Sequence, residues 1–416
     1  MKSKILLTSV LLGFGMASYA QNASRTFAIT GNSINDFAWM NIRQVDLNSG
    51  IVTKTVFEKN KTPFTLTNVD TRQVSDKSAI LNGNIYGPSV YPTATFVAAA
   101  AFDKRSDRLY YIPMRMNELR WVDVNEKGET VNFYSIKSPL LFAETGADES
   151  RNVTRMVIAA DGDGYALTND GNHLYHFTTG KKPVITDLGA LIDDESNKGI
   201  SIHNKCTSWG GDMVADAFGK LYVITAARNI FVVDINSRIA TFKGQISNLP
   251  ANFTANGAAV NDHGDIVIIS ANVFAGYYTV DLKTLAATLV PGSDLMYNSS
   301  DLANGNLLFQ KEADAAKQFG SATDIRNESL SGTKVAPNPV TGSSFKILFD
   351  GDYSGAYTVI ISDIAGRNIQ ATQITLAKGQ QYQNINIRNK PVAGTYLVKV
   401  VNEAGKTVLT DKLIIQ

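Results

Sequence analysis

Chemistry in this chain has to come from a few polar and aromatic residues that stand at comparable places beside short apolar runs. Arg151 and Arg155, Trp209-Gly210-Gly211-Asp212, Asn256 and Ser299-Ser300-Asp301 each fall where such a run begins. Arg115, Asn117, Asn169, Asp170, Arg228, Asn272 and Phe274 occupy a second recurring position, between two later runs. An aromatic ring beside amides, carboxylates and guanidinium groups suits a sugar or a peptide, because the ring covers apolar surface while the polar groups bind hydroxyls or carboxylates. Arg155, Trp209, Asp212, Asn256 and Asp301 are therefore the candidate binding residues. The structural alternative is a Trp209 that caps a core and polar neighbours that satisfy loop backbone.

Catalytic and metal chemistry have less support. Asp161-Gly162-Asp163-Gly164 and Asp262-His263-Gly264-Asp265 look like fragments of calcium loops, but they lack the further oxygen ligands and distal Glu of an EF-hand, and as tight turns they need no metal. His173 and His176 stand three apart on an expected strand, which sends them to opposite faces. No Gly-x-Ser-x-Gly elbow, His-Glu-x-x-His pair or Gly-x-x-x-x-Gly-Lys-Ser/Thr phosphate loop occurs, so neither a catalytic motif nor a cofactor is implied. A glycosidase-like carboxylate pair stays open, since Asp and Glu are plentiful. The lone Cys206 has no internal disulfide partner, and a buried small apolar role is expected for it. Lys plus Arg is 39 against 38 for Asp plus Glu, which leaves no charge excess for nucleic acid or an anionic membrane surface.

The elements that must position these residues repeat. Ala101–Asp103, Leu109–Ile112 and Leu119–Asp123 give an apolar strand, a polar turn, a second strand with an aromatic and a third that ends in Asp. The pattern returns at Met156–Ala160, Gly164–Leu167 and Leu174–Phe177, then at Met213–Ala217, Gly219–Val223 and Ile230–Asp234, then at Ala258–Asn261, Gly264–Ile268 and Tyr277–Asp281. A further short strand trails each copy, such as Ile239–Phe242 and Ala286–Leu289. Four antiparallel strands at this spacing predict propeller blades. A partial copy at Ser299–Leu302 and Asn306–Phe309, with Thr26–Thr30, Trp39–Asp46 and Ile51–Phe57 at the start, predicts a closing blade shared by both ends. That makes about six blades, with a range of five to seven because Lys59–Pro92 fits no blade cleanly. Tandem β-sandwiches are the runner-up architecture.

Both ends carry further signals. Lys2 and Lys4 precede the apolar run Ile5–Met16 and then Ala17-Ser18-Tyr19-Ala20, the layout of a signal peptide cut after Ala20. The apolar run is well short of the ~20 residues that span a bilayer, so no integral membrane segment is expected after cleavage. From Val335 onward, Ser344–Phe349, Tyr357–Ser362, Asn368–Thr375, Gln383–Arg388, Thr395–Val401 and Thr407–Ile415 are short, alternating and rich in Val, Ile, Tyr and Thr, with Gly-containing turns between them. They predict a small immunoglobulin-like β-sandwich.

Within that segment stand Pro337-Asn338-Pro339, Gly355-Ala356-Tyr357, Asp363-Ile364-Ala365-Gly366-Arg367, Gly394-Thr395-Tyr396 and the closing Lys412-Leu413-Ile414-Ile415. In type and order these residues resemble the C-terminal sorting domain of the Por (type IX) secretion system of Bacteroidetes. The resemblance implies recognition by the secretion machinery, with Pro337, Asn338, Pro339, Tyr357, Asp363, Gly366, Arg367, Gly394, Tyr396 and Lys412 as its motif. It also implies a tail that is often removed and sometimes exchanged for a lipopolysaccharide anchor.

The expected organisation is a signal peptide at 1–20, an all-β propeller-like domain at 21–310, a linker at 311–334 and the sorting domain at 335–416. The expected function is a secreted or cell-surface propeller that binds a glycan or a protein, reached by way of the periplasm. A lyase or hydrolase acting on polysaccharide and a structural surface protein are the alternatives.

Overall fold

The computed structural model describes residues 24–33, 36–76, 91–125, 127–142, 148–293, 297–315, 334–349, 353–364, 367–377, 382–388, 391–403 and 406–416. The expected signal peptide, residues 316–333 of the expected linker and Gly366 lie outside them. The chain divides into two units, Met1–Ala215 with Gly219–Leu308, and Asp216–Phe218 with Phe309–Gln416.

Among the described residues the first unit holds five sheets, each built on four antiparallel strands. Blade I runs, from inner to outer strand, Ser299–Asn304, Thr26–Thr30, Asn41–Val45 and Val52–Phe57; blade II runs Val97–Asp103, Arg108–Pro113, Glu118–Asp123 and Val131–Lys137. Blade III is Val153–Ile158, Gly164–Thr168, Leu174–Phe177 and Ile185–Asp187; blade IV is Asp212–Ala215, Lys220–Ile224, Asn229–Asp234 and Ile239–Gln245; blade V is Gly257–Val260, Ile266–Ile269, Tyr278–Val280 and Ala287–Leu289. Each inner strand packs against the inner strands of the next and the previous blade, and the strand of blade I closes the ring between those of II and V. The shared closing blade is as expected: Thr26–Thr30 pairs with Ser299–Asn304 in antiparallel register.

Among the described residues the blades number five, the lower end of the expected range. Phe64–Asn68 and Val74–Asp76, from the segment that fitted no blade, extend the outer edge of blade II, with Phe64–Asn68 lying parallel to the Val131–Lys137 strand. They bring no inner strand among the described residues, so they complete no sixth blade. Blade IV gains Ile192–Asp193 at its edge in the same way.

A ring of five demands small inner residues. The inner strands read VAAAAFD, VTRMVI, DMVA, GAAV and SSDLAN and are buried almost throughout. They leave an axial cavity of about 10 Å³ lined by Ala100, Met156, Met213, Ala258, Leu302 and Asn304 among others, room for about one water. Larger apolar residues fill the wedges between neighbouring blades, as with Trp121, Tyr110 and Phe177 between II and III.

The Asp that ends the third strand in blades I, IV and V has a mechanical role. Asp46, Asp234 and Asp281 accept hydrogen bonds from the backbone two residues on, and their carbonyls accept the amides of Gly50, Arg238 and Leu285 at 2.7–2.8 Å. These last residues take a left-handed φ of 70°, 59° and 57°, which closes the hairpin to the outer strand.

The second unit is the expected sandwich. One sheet holds Lys334–Ala336, Ser344–Leu348 and Tyr382–Asn386, and the other holds Asn368–Leu376, Gly355–Asp363, Gly394–Asn402 and Thr407–Ile415 in that spatial order. Val340, Phe345, Ile347, Val359, Ile361, Val398 and Leu413 fill the space between, joined by Tyr357 and Tyr396. Among the described residues no helix is long and apolar enough to cross a membrane.

Candidate functional site

The loops that lead into the inner strands share one face of the ring with the loops joining second to third strands. Of the five candidate binding residues, the structure draws three into the wall behind that face. Arg155, Asp212 and Asp301 are fully buried, which corrects the expectation that they would offer charge at the surface.

Arg155 is a staple. Its guanidinium donates to the carbonyls of Thr168 at 3.0 Å, Gly210 at 2.7 Å and Ser208, tying blade III to the loop that enters blade IV. Burial pulls its pKa down to about 10, so it remains a cation at neutral pH. Gly211, at φ 96°, passes so close to Ile224 that a Cβ there would strike its carbonyl oxygen. Asp212 follows and accepts the amides of Met213 at 2.7 Å, Ala258 at 2.6 Å and Leu302 at 3.3 Å, which joins three inner strands.

Asp301 faces Asp212, and its two oxygens take no hydrogen bond of good geometry. Burial, reinforced for Asp301 by the neighbouring Asp212 charge, pushes both carboxyls well above the usual carboxylate range. The folded chain therefore holds these protons more tightly than the unfolded chain. Their contribution is fully present below about pH 4 and is lost as pH rises through the raised folded values. Asp301→Asn is expected to flatten this decline, read as the urea midpoint against pH; an unchanged slope would count against a raised Asp301 carboxyl.

Trp209 and Asn256 remain nearer the surface. The half-buried Trp209 donates its indole N–H to the His203 carbonyl at 3.3 Å, and the Lys205 ammonium lies 4.9 Å from the ring centre. Asn256 accepts the Ala271 amide at 3.1 Å and a bond from the Thr254 hydroxyl. Cys206 is exposed, not buried as expected: it lies in the short helix Lys205–Ser208, whose one buried residue is Ser208.

Phe142, Glu149 and Asp187, which the sequence did not single out, join residues that it did. Arg151 stacks on Phe142 at 3.5 Å, Phe142 lies 5.4 Å from His173, and His173 Nδ1 meets Asp187 Oδ2 at 2.7 Å with both side chains about one quarter exposed. Arg115, at φ 63°, holds its guanidinium 3.9 Å from Glu149. His176 pairs separately with Asp163 at 3.0 Å, in line with the opposite-face expectation for the two histidines. Within the propeller, the described buried side-chain polar atoms without a partner belong to Trp39, Thr93, Asn152, Asn298 and Asp301. These residues sit where the inner strands of blades I, II and III begin, with Trp39 attached there by its carbonyl, which accepts the Val97 amide at 3.1 Å. Unpaired groups of this kind are rare in protein interiors.

In the sandwich, the motif residues build its frame. Asn338 bridges to the last strand, donating to the Lys412 carbonyl and accepting the Ile414 amide at 2.8 Å. Asp363 accepts the Arg367 amide at 2.8 Å and its guanidinium at 3.0 Å, which fixes the turn between them. The Tyr396 hydroxyl donates to the Val392 carbonyl at 2.6 Å.

A five-bladed propeller followed by this small sandwich defines an all-β protein of two units. Residues 334–416 match the family described as the secretion system C-terminal sorting domain, and the chain carries that domain as a substrate of the type IX system, exported to the cell surface or the medium. No curated protein matches the chain. Among solved structures it is similar to PorZ of Porphyromonas gingivalis, described as an essential bacterial surface component of the type IX secretion system, at 14% identity and TM-score 0.30 over 94% of this chain. The chain spans 51% of that protein's length. It is also similar to a functionally unknown protein from Desulfotomaculum acetoxidans, at 15% identity and TM-score 0.37 over 68% of this chain and 89% of that one, and to virginiamycin B lyase from Staphylococcus aureus, at 8% and 0.27 over 77% and 84%.

Deleting residues 334–416 is expected to leave the protein in the periplasm. Cell fractionation checks this, and wild-type amounts outside the cell would contradict it.

Proposed function

We propose that the propeller is a ligand-binding platform displayed or released outside the cell, with a glycan or a protein segment bound on the face where the inner strands begin. The supporting observation is a concentration on that one face. It carries the half-buried Trp209 with its Lys205 and the Phe142–Arg151 stack. Aromatic rings stack on apolar ligand surface, and the cations beside them suit hydroxyls or carboxylates. In this reading Trp209 and Asn256 touch the ligand, while Arg155, Asp212 and Asp301 hold the rim in shape from behind.

A polysaccharide lyase or hydrolase is the second reading. The His173–Asp187 contact favours it, since a partly exposed imidazole held by a carboxylate is a general-base arrangement. The Asp212–Asp301 pair does not serve that reading, because both carboxyls are closed off from solvent. Glycan and peptide arrays probed with the exported protein, followed by product analysis on every hit, separate the two. Binding without product supports the platform; product that disappears in His173→Asn supports the enzyme.

A further inference from the structure

The sorting motif is scattered over about 75 residues of sequence, yet the sandwich gathers most of it at one end. Strand register sets this. Asp363 lies opposite Tyr396, Ser362 opposite Asn368, and Gly394 opposite Ile415, so the Asp363–Arg367 turn, the start of the Gly394–Asn402 strand and the finish of the last strand are neighbours. Val340 donates its amide to Ile414 at 2.7 Å, which places the segment after Pro337-Asn338-Pro339 at the same end. The Arg388 amide donates to Gln370 at 2.7 Å and the Tyr396 hydroxyl donates to the Val392 carbonyl at 2.6 Å, which brings Arg388 and Val392 to the same end. Tyr357 alone among the described motif residues lies at the opposite end, across from Asn402.

This end also has a chemical character. Val392 is 84% exposed and Ile364 41%; at the opposite end Tyr382 is 54% exposed and Leu348 39%. Around Val392 and Ile364, Arg367, Arg388 and Lys412 are exposed cations. Asp363 is already paired with Arg367, and Asp411 is turned toward the other sheet, where it accepts the Val335 amide at 3.3 Å. The surface is thus apolar at two projecting points and positive around them.

We propose that the secretion machinery grips the domain by this end, through an apolar cleft that receives Val392 and Ile364 and carboxylates that meet Arg388 and Lys412. The sheet faces and the opposite end stay outside the contact. The proposal rests on the sorting-domain match and is independent of what the propeller binds.

The test uses the full-length chain in its own export host, with the exported fraction measured beside the periplasmic one. Val392→Asp and Arg388→Glu should each lower export on the order of tenfold or more, since both place an unpaired charge in the contact. Charge reversals at the opposite end, Glu403→Lys and Lys406→Glu, should export as the wild type does. Thermal melting of the purified variants shows whether the sandwich is intact. If Val392→Asp melts it, the exposed and conformationally undemanding Arg388→Glu decides alone. Wild-type export of Arg388→Glu, or equal loss from the opposite end, would overturn the proposal.

Discussion

Removing residues 299–416 is expected to leave no folded propeller, whereas removing residues 334–416 is expected to leave one that melts cooperatively. The difference lies in the six residues Ser299–Asn304, all of them buried, which form the inner strand of blade I. They pair with Thr26–Thr30 on one side of their sheet and pack between the inner strands of blades II and V. Ser299 and Ser300 donate to the carbonyls of Ile29 and Val97 at 2.8 and 2.7 Å, and Asn304 donates to the Val260 carbonyl at 2.7 Å. Without this strand the ring has two open edges and loses a set of contacts comparable to the ~5–15 kcal/mol that stabilises a typical domain. Near-ultraviolet circular dichroism and calorimetry of both truncations check this. A cooperative transition in the shorter chain would show that the ring does not depend on its closing strand.

Arg155→Met is the single substitution with the largest expected effect on the propeller. The side chain is of similar length, but the carbonyls of Thr168, Ser208 and Gly210 lose their shared donor in a site closed to water. Breaking a buried charged network of this kind costs ~3–5 kcal/mol, which in a domain of this size lowers the melting temperature by roughly 10 °C. A shift within a degree or two would mean that the guanidinium is not the staple between blades III and IV. Loss of ligand binding in this variant would be indirect, through the Gly210–Gly211 turn that sets the start of blade IV.

Much of the architecture was legible because its devices are local. The recurring Asp at the end of third strands announces a turn that closes on itself, and the alternation of small and large apolar residues announces strands buried on both faces. The number of blades was not legible, because Phe64–Asn68 and Val74–Asp76 have strand composition, and only tertiary pairing places them on the edge of blade II. The site was half legible. Its position in each repeat follows from the loop order, but the direction of each side chain does not. At Arg155 the ladder shifts register between Val153 and Arg155, and one such irregularity decides whether a guanidinium points to solvent or into the wall. The Phe142–Arg151 stack and the His173–Asp187 contact join residues from different loops, and nothing in their spacing announces it.

The sandwich was read more fully, since its motif residues have local partners: Asp363 holds its own turn, and Tyr396 reaches back four residues to Val392. Asn338 is the exception. Its bond to the last strand spans 76 residues and is visible only in the fold.

The most direct test of the platform is the affinity of wild-type protein and of Trp209→Ala for the strongest array ligand, measured with the melting temperature of each in the same samples. The account predicts that the variant loses binding by on the order of tenfold or more, as stacking aromatics at a contact do, while its melting temperature stays close to that of the wild type. Unchanged affinity, or a collapse of stability that accompanies the loss, would place Trp209 in the core and remove the binding face from where it is assigned.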